Sequence, residues 1–177
     1  MCPNEPLPPA AVYWITGLAG AGKTTLARLL HAHLRAQGQP AVLLDGDAIR
    51  EILGETGSYD LAGRRRMAMR ISRLCHWLSQ QGIPVVCATI SLFHACQRWN
   101  REHLQGYCEI LLRLPLDVLV RRDQKGLYSA ALRGEIGNVM GVDLEPEWPE
   151  RPDIILEISG EEPPQVILES LLNALGP

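Results

Sequence analysis

The chain of 177 residues has a single phenylalanine, Phe93, and aromatic residues make up only 5% of it. Any stacking on a nucleobase therefore falls to very few side chains. Positive charge is not in excess: 17 Lys and Arg against 20 Asp and Glu give −3 at neutral pH. That balance argues against nucleic acid held along an extended surface and against attachment to an anionic membrane. The five cysteines, Cys2, Cys75, Cys87, Cys96 and Cys108, contain no C-x-x-C pair. A zinc ribbon or disulfide framework is thereby excluded, and reduced thiols in a cytoplasm are expected, Cys87 and Cys108 lying in runs that read as buried strands. Residues 1–9 carry no basic residue and four prolines, unlike a signal peptide or a membrane span. Residues 1–11 read as a short flexible lead-in to one domain over 12–177, for which a hydrophobic content of 46% is ample.

What the chain does have is Gly17-Leu18-Ala19-Gly20-Ala21-Gly22-Lys23-Thr24, a full match to G-x-x-x-x-G-K-[ST]. It lies between the β-branched and aromatic run Val12–Thr16 and a segment with Leu26, Leu29, Leu30 and Leu34 at helical spacing. Strand, glycine loop and helix thus come in the order that makes a phosphate-binding loop. Backbone N–H groups and the helix N-terminus would face the phosphates of ATP, Lys23 would reach the outer phosphates, and the Thr24 hydroxyl would ligate Mg²⁺. Gly17 to Thr25 are the candidate ATP-binding residues.

Further along, apolar runs at 41–44, 85–90, 108–113 and 154–156 alternate with helical patterns at 48–53, 61–81, 94–104, 115–122 and 165–175. On the long helix, Met67, Ile71, Leu74, Trp77 and Leu78 are expected to face inward. Alternation of this kind predicts an α/β phosphate-loop fold: a parallel five-stranded sheet with helices on both faces. Residues 123–149 break the pattern with four glycines and two prolines, and their length suggests a lid.

In such a sheet ligands bind beyond the carboxyl ends of the strands. Asp45-Gly46-Asp47 ends the second strand, so both carboxylates should lie beside the phosphate loop, to hold Mg²⁺ through water or to orient an attacking hydroxyl. The alternative is an acidic turn in which Gly46 supplies a tight bend. Arg121, Arg122, Lys125 and Arg133 could close over a transferring phosphoryl group. Together these features indicate a small-molecule kinase.

The phosphate loop, Asp45-Gly46-Asp47 with Ile49-Arg50, Thr89-Ile90-Ser91, and the stretch from Arg122 through Lys125-Gly126-Leu127-Tyr128 to Gly134-Glu135-Ile136 resemble the adenylyl-sulfate kinases over about Val12 to Ile155. The resemblance implies transfer of the γ-phosphoryl group of ATP to the 3′-hydroxyl of a nucleotide, adenosine 5′-phosphosulfate in that family. It implies catalytic roles for Lys23 and Asp47, and an acceptor site of Asp45, Asp47, Arg50, Tyr59, Arg64, Ile90, Ser91, Lys125 and Val139. Arg122, Lys125 and Arg133 would form the closing lid.

The chain departs from the family at Gly63-Arg64-Arg65-Arg66-Met67, where the family's Asp-Arg-x-x-Asn keeps only its arginine, and at Tyr59 and Val139, where the family sandwiches adenine between two phenylalanines. The segment Thr89-Ile90-Ser91-Leu92-Phe93 with Trp99-Asn100-Arg101 also differs from the family's usual Ile-Ser-Pro-Tyr and, together with Asn138-Val139-Met140-Gly141, resembles a divergent branch whose acceptor is cytidine diphosphoramidate, in surface-polysaccharide pathways. No role falls to His94, Trp99, Asn100 or Arg101, which read equally as packing, capping or helix surface. A homodimer stays open. The rival class, a nucleotide-binding regulatory ATPase with no small-molecule acceptor, would carry an Asp-x-x-Gly switch directly after the third strand; that strand runs into Ala88-Thr89-Ile90-Ser91 instead.

Overall fold

A computed structural model describes residues 8–55, 60–123 and 126–176. The elements follow as β1 (Val12–Thr16), α1 (Lys23–Ala36), β2 (Val42–Asp45), α2 (Gly46–Ile52), α3 (Leu61–Ser79), β3 (Val85–Ala88), α4 (His94–His103), β4 (Tyr107–Arg113), α5 (Leu116–Arg122), α6 (Leu127–Leu132), β5 (Ile154–Glu157) and α7 (Pro164–Leu175). All strand pairings are parallel, in the order β2-β3-β1-β4-β5. β1 is central, its neighbours β3 and β4 lie on either side, and the loop after it opens where the winding reverses.

The inner strands form from runs that are apolar on both faces, while the edge strand β5 alternates buried Ile154 and Leu156 with exposed Ile155 and Glu157. β3 is Val-Val-Cys-Ala, buried at every position, as expected of a parallel sheet covered on both faces. Trp14, Ile15, Ile110, Leu111 and Leu112 are buried in its centre. Burial pushes the thiols up, Cys96 to about 12 and Cys108 to about 11. Cys75, Cys87 and Cys96 are buried while Cys108 is only partly so, and burial keeps Cys87, Cys96 and Cys108 as thiols rather than thiolates.

Three expectations change. Trp77 faces solvent, 61% exposed. The buried positions of α3 are Gly63, Met67, Ala68, Ile71, Ser72, Cys75 and Ser79, and position 77 is two residues, or about 200°, from both 75 and 79. The segment 123–149 is not all loop, since α6 lies within it. Asn100 and Arg101 are not idle surface either. Asn100 is fully buried, its Nδ2 donates to the Tyr107 hydroxyl (3.3 Å), which donates to Glu109 Oε1 (3.1 Å). Arg101 donates to Glu109 Oε2 (2.9 Å) and pairs with Asp153 (3.3 Å).

Glu109 is 1% exposed, and burial raises its carboxyl even against the guanidinium of Arg101. This knot ties α4 to β4 and to the residue before β5, in the amino-terminal half of the sheet. Arg101→Met would strand a buried carboxylate. Because the Arg101 side chain is 36% exposed, water offsets part of the loss, and the expected cost is about 2–3 kcal/mol, below the usual range for a broken buried pair. Chemical denaturation measures it, and a loss within about 0.5 kcal/mol, ordinary for a surface change, would show that the knot contributes little.

Candidate active site

Beyond Thr16 the chain turns through three glycines with positive φ, Gly17 (146°), Gly20 (77°) and Gly22 (93°). Gly17 has no alternative: a Cβ there would sit 2.5 Å from the Leu112 carbonyl oxygen on β4. Gly22 is the N-cap of α1 and supplies no side-chain cap, so the first amides of a 14-residue helix are left to face an anion. Two of the loop's carbonyls turn to donors outside it, and a third is held within it. Leu18 O accepts from Lys23 Nζ (2.7 Å) and from Ala21 N (3.3 Å), Ala19 O from the Tyr128 hydroxyl (2.8 Å), and Gly20 O from Arg122 (3.4 Å).

Asp45 ends β2 and N-caps α2. Its Oδ1 accepts from the amides of Asp47 (3.0 Å) and Ala48 (3.4 Å), and its Oδ2 from the Thr24 hydroxyl (2.6 Å). Gly46 is not a tight bend but a point of close approach, because a Cβ there would lie 3.1 Å from Thr89 Oγ1. Asp47 stands in the first turn of α2. Burial pushes the Lys23 ammonium down to about 8, and the carboxylates of Asp47 and then Asp45 pull it back up. Lys23, Asp45 and Asp47 therefore share one electrostatic neighbourhood, reached from two separate strand ends.

The all-oxygen donor set suits Mg²⁺, which takes one or two carboxylates and leaves its other positions to phosphates and water. Among the described residues no cluster of three His, Cys, Asp or Glu could hold a metal, so the ion would depend on Thr24, Asp45 or Asp47, and the bound phosphates.

On the acceptor side, Arg50 of α2 is 9% exposed and donates to Glu55 O (3.1 Å). Arg64, in the first turn of α3, faces Asp143, whose carboxyl is held below its usual range, against the pull of burial, by the amides of Val139 and Asn138 and last by that charge. Asp143 in turn accepts the amide of Val139 (2.5 Å), fixing a side chain that is 2% exposed. Thr16 Oγ1 donates to Ile90 O (2.5 Å), and Ser91, at φ 27°, shares a hydrogen bond with Thr89 (2.8 Å). Met67, where the family has a polar residue, belongs to the core. Tyr59 and Lys125 lie outside the described residues.

Arg133 is engaged in a two-pronged pair with Glu135 (2.6 and 2.9 Å). Arg122 sits closer to the phosphate loop, bridging Gly20 O and Gly160 O. Asp123, at φ 36°, caps α6 by accepting the amides of Tyr128 (2.8 Å) and Ser129 (3.0 Å).

Two parts of the site had no clear signal in the sequence. Beside the loop a cleft of about 140 Å³ is lined by Gly22, Thr25, Arg122, Ile158, Gly160 and Pro164, among others. Its floor turns on Glu162, whose carboxylate accepts the amides of Ser159 and Gly160 (both 2.9 Å), bonds that pull it down to about 2. Ser159-Gly160 directly after a buried strand was the available hint. The second is Glu147, which accepts the amide of His94 (2.6 Å) and pairs with Arg65 (2.8 Å), while its backbone carbonyl takes Gln97 Nε2 (2.8 Å). His94 reaches the Trp148 carbonyl (2.9 Å). This clamp ties the stretch at Glu147 and Trp148 to α3 and α4.

A profile of the adenylylsulphate kinase family matches residues 9–157. A cytidine diphosphoramidate kinase of Campylobacter jejuni is 43% identical over 148 residues, 84% of this chain and 86% of that protein. An adenylyl-sulfate kinase of Paraburkholderia xenovorans is 40% identical over 148 residues, 83% of each chain. Among solved structures, the Mycobacterium tuberculosis APS kinase in complex with AMPPNP and APS superposes with a TM-score of 0.86 at 29% identity, covering 96% of this chain and 99% of that one. With its phosphate loop, its Asp45-Gly46-Asp47 corner and its 2-3-1-4-5 sheet, the chain belongs to the adenylylsulphate kinase family, phosphotransferases that act on hydroxyl acceptors.

Proposed function

We propose that the chain transfers the γ-phosphoryl group of ATP to the 3′-hydroxyl of a nucleotide acceptor. The observation that carries this is the convergence of Lys23 and Asp47, the first on the phosphate loop and the second at the end of β2, close enough for the carboxylate to raise the ammonium. The outward-turned carbonyls leave amides to cradle the β- and γ-phosphates. The base of ATP would lie in the cleft between Arg122 and Gly160. Asp47 would orient the acceptor hydroxyl in line with the γ-phosphorus, and Lys23 with the lid cations would share the charge that develops on the equatorial oxygens. Mg²⁺ at Thr24 and Asp45 would neutralise phosphate charge. Such a reaction needs no covalent intermediate, and it fits a cytoplasmic setting, where ATP is made.

The acceptor best supported is cytidine diphosphoramidate. Val139, where the family stacks a phenylalanine on adenine, is aliphatic and pinned by Asp143, which would forfeit about 0.5–1.5 kcal/mol of stacking on a purine. The Campylobacter relative is named for that acceptor. Adenosine 5′-phosphosulfate is the alternative, carried by the relatives named for it. Release of ADP, assayed with each acceptor in turn, decides between them: the cytidine compound is expected to give the higher kcat/KM by at least tenfold. A reversed ratio would assign the adenylyl-sulfate reaction, and ADP release independent of either would favour a regulatory ATPase.

A further inference from the structure

Tyr128 has no role in the chemistry above, yet it is fully buried and reaches across from α6 to donate its hydroxyl to Ala19 O at 2.8 Å. A peptide unit is planar and trans, so its C=O and N–H point in opposite directions. Holding Ala19 O outward therefore holds the N–H of Gly20 inward, toward the concavity of the loop. Glycine needs such a restraint most. At φ 77° Gly20 has no Cβ to limit it, and a free Ala19–Gly20 peptide could turn over at little cost. Lys23 restrains the preceding carbonyl and Arg122 the following one, but Lys23 is also needed by the phosphates, whereas Tyr128 is not.

α6 is itself held in place by Asp123, whose carboxylate caps the amides of Tyr128 and Ser129. The geometry points to Tyr128 as a positioning residue that presets the Gly20 amide for the donor phosphates and couples α6 to occupancy of the loop. This inference rests on the reading of the loop as the ATP site and adds to it a residue that acts through the loop's backbone.

The test is calorimetric titration of Mg·ADP and of a non-hydrolysable Mg·ATP analogue into the full chain and into Tyr128→Phe and Ser129→Ala. Tyr128→Phe keeps the ring that fills the pocket and removes only the oxygen. Its dissociation constant for both nucleotides should rise about fivefold, the worth of one hydrogen bond. Ser129→Ala removes the hydroxyl's bonds to Gly126 O (3.3 Å) and to the Asp123 carboxylate, which loosens the start of α6 while leaving the Tyr128 hydroxyl in place, and should leave the affinity unchanged. Melting temperatures of the free proteins separate the two roles, because a merely structural tyrosine would lower them without weakening nucleotide binding by the folded protein.

Equal affinity in the wild type and Tyr128→Phe would overturn the inference, as would an equal loss in Ser129→Ala, which would trace the effect to the stability of α6. Were Tyr128→Phe not to fold, hydrogen exchange on the wild type would decide: Mg·ADP should slow the amides of residues 127–132 together with those of 17–24, and protection confined to 17–24 would overturn the coupling. Failure of the wild type to bind either nucleotide would refute the donor-site reading itself, a result distinct from all of these.

Discussion

Lys23→Ala is expected to leave a folded protein whose phosphoryl transfer falls by about a thousandfold or more, the scale on which loss of one charge-stabilising donor is felt in a preorganised site. Its Nζ rests on Leu18 O, within the field of Asp47 and Asp45, and is half-buried. Filling the loop with phosphates hands the ammonium from that carbonyl to the anionic oxygens, so the bond to Leu18 O is a holding position. Folding does not depend on it, because Ala21 N also satisfies Leu18 O, and truncation removes a charge whose burial is unfavourable in the free protein. Initial rates with saturating acceptor, alongside a thermal melt, measure both halves. A variant that retains more than a tenth of the rate would show that the loop's amides alone carry the charge.

The Asp47→Asn variant separates positioning of the acceptor from capture of the donor. The change is nearly isosteric, and α2 keeps its cap because the capping carboxylate belongs to Asp45. What is lost is an acceptor for the proton of the attacking hydroxyl, and kcat should drop by about 10²–10⁴-fold. Donor affinity should move by less than about threefold, since the groups arranged for the phosphates lie on the loop and α1. A parallel loss of donor affinity would instead place Asp47 at the metal.

Much of the fold was legible in the chain because its signals are local. A phosphate loop is eight consecutive residues, and strands buried on both faces read as unbroken apolar runs, as in Val85-Val86-Cys87-Ala88. The inward face of α3 was less legible. Leu74, Trp77 and Leu78 spread hydrophobicity over too wide an arc for the period to select a face, and only packing against β3 and α4 shows that Trp77 is left out. Asn100 and Arg101 could not be read from their neighbours in sequence at all, because what gives them purpose is Glu109 and Asp153, joined only once β4 and β5 pair. The cleft beside the loop was hidden for the same reason: Arg122, Gly160 and Glu162 meet through the fold. Arg133, expected to close over the phosphates, is instead turned toward Glu135, a pair exposed enough to be worth little and easily exchanged.

Gly17 lies against the Leu112 carbonyl so closely that not even a methyl group fits between them, and Leu112 itself pairs with Leu156 of β5, one residue beyond the Thr16–Leu111 pair at which β1 ends. The phosphate cradle is thus braced by the interior of the molecule rather than hung from its rim. Heating or denaturant should not slacken it piecemeal, as happens to weakly anchored binding loops. Its grip on a triphosphate ought to survive undiminished until the parallel strands part, and then vanish with them in a single step.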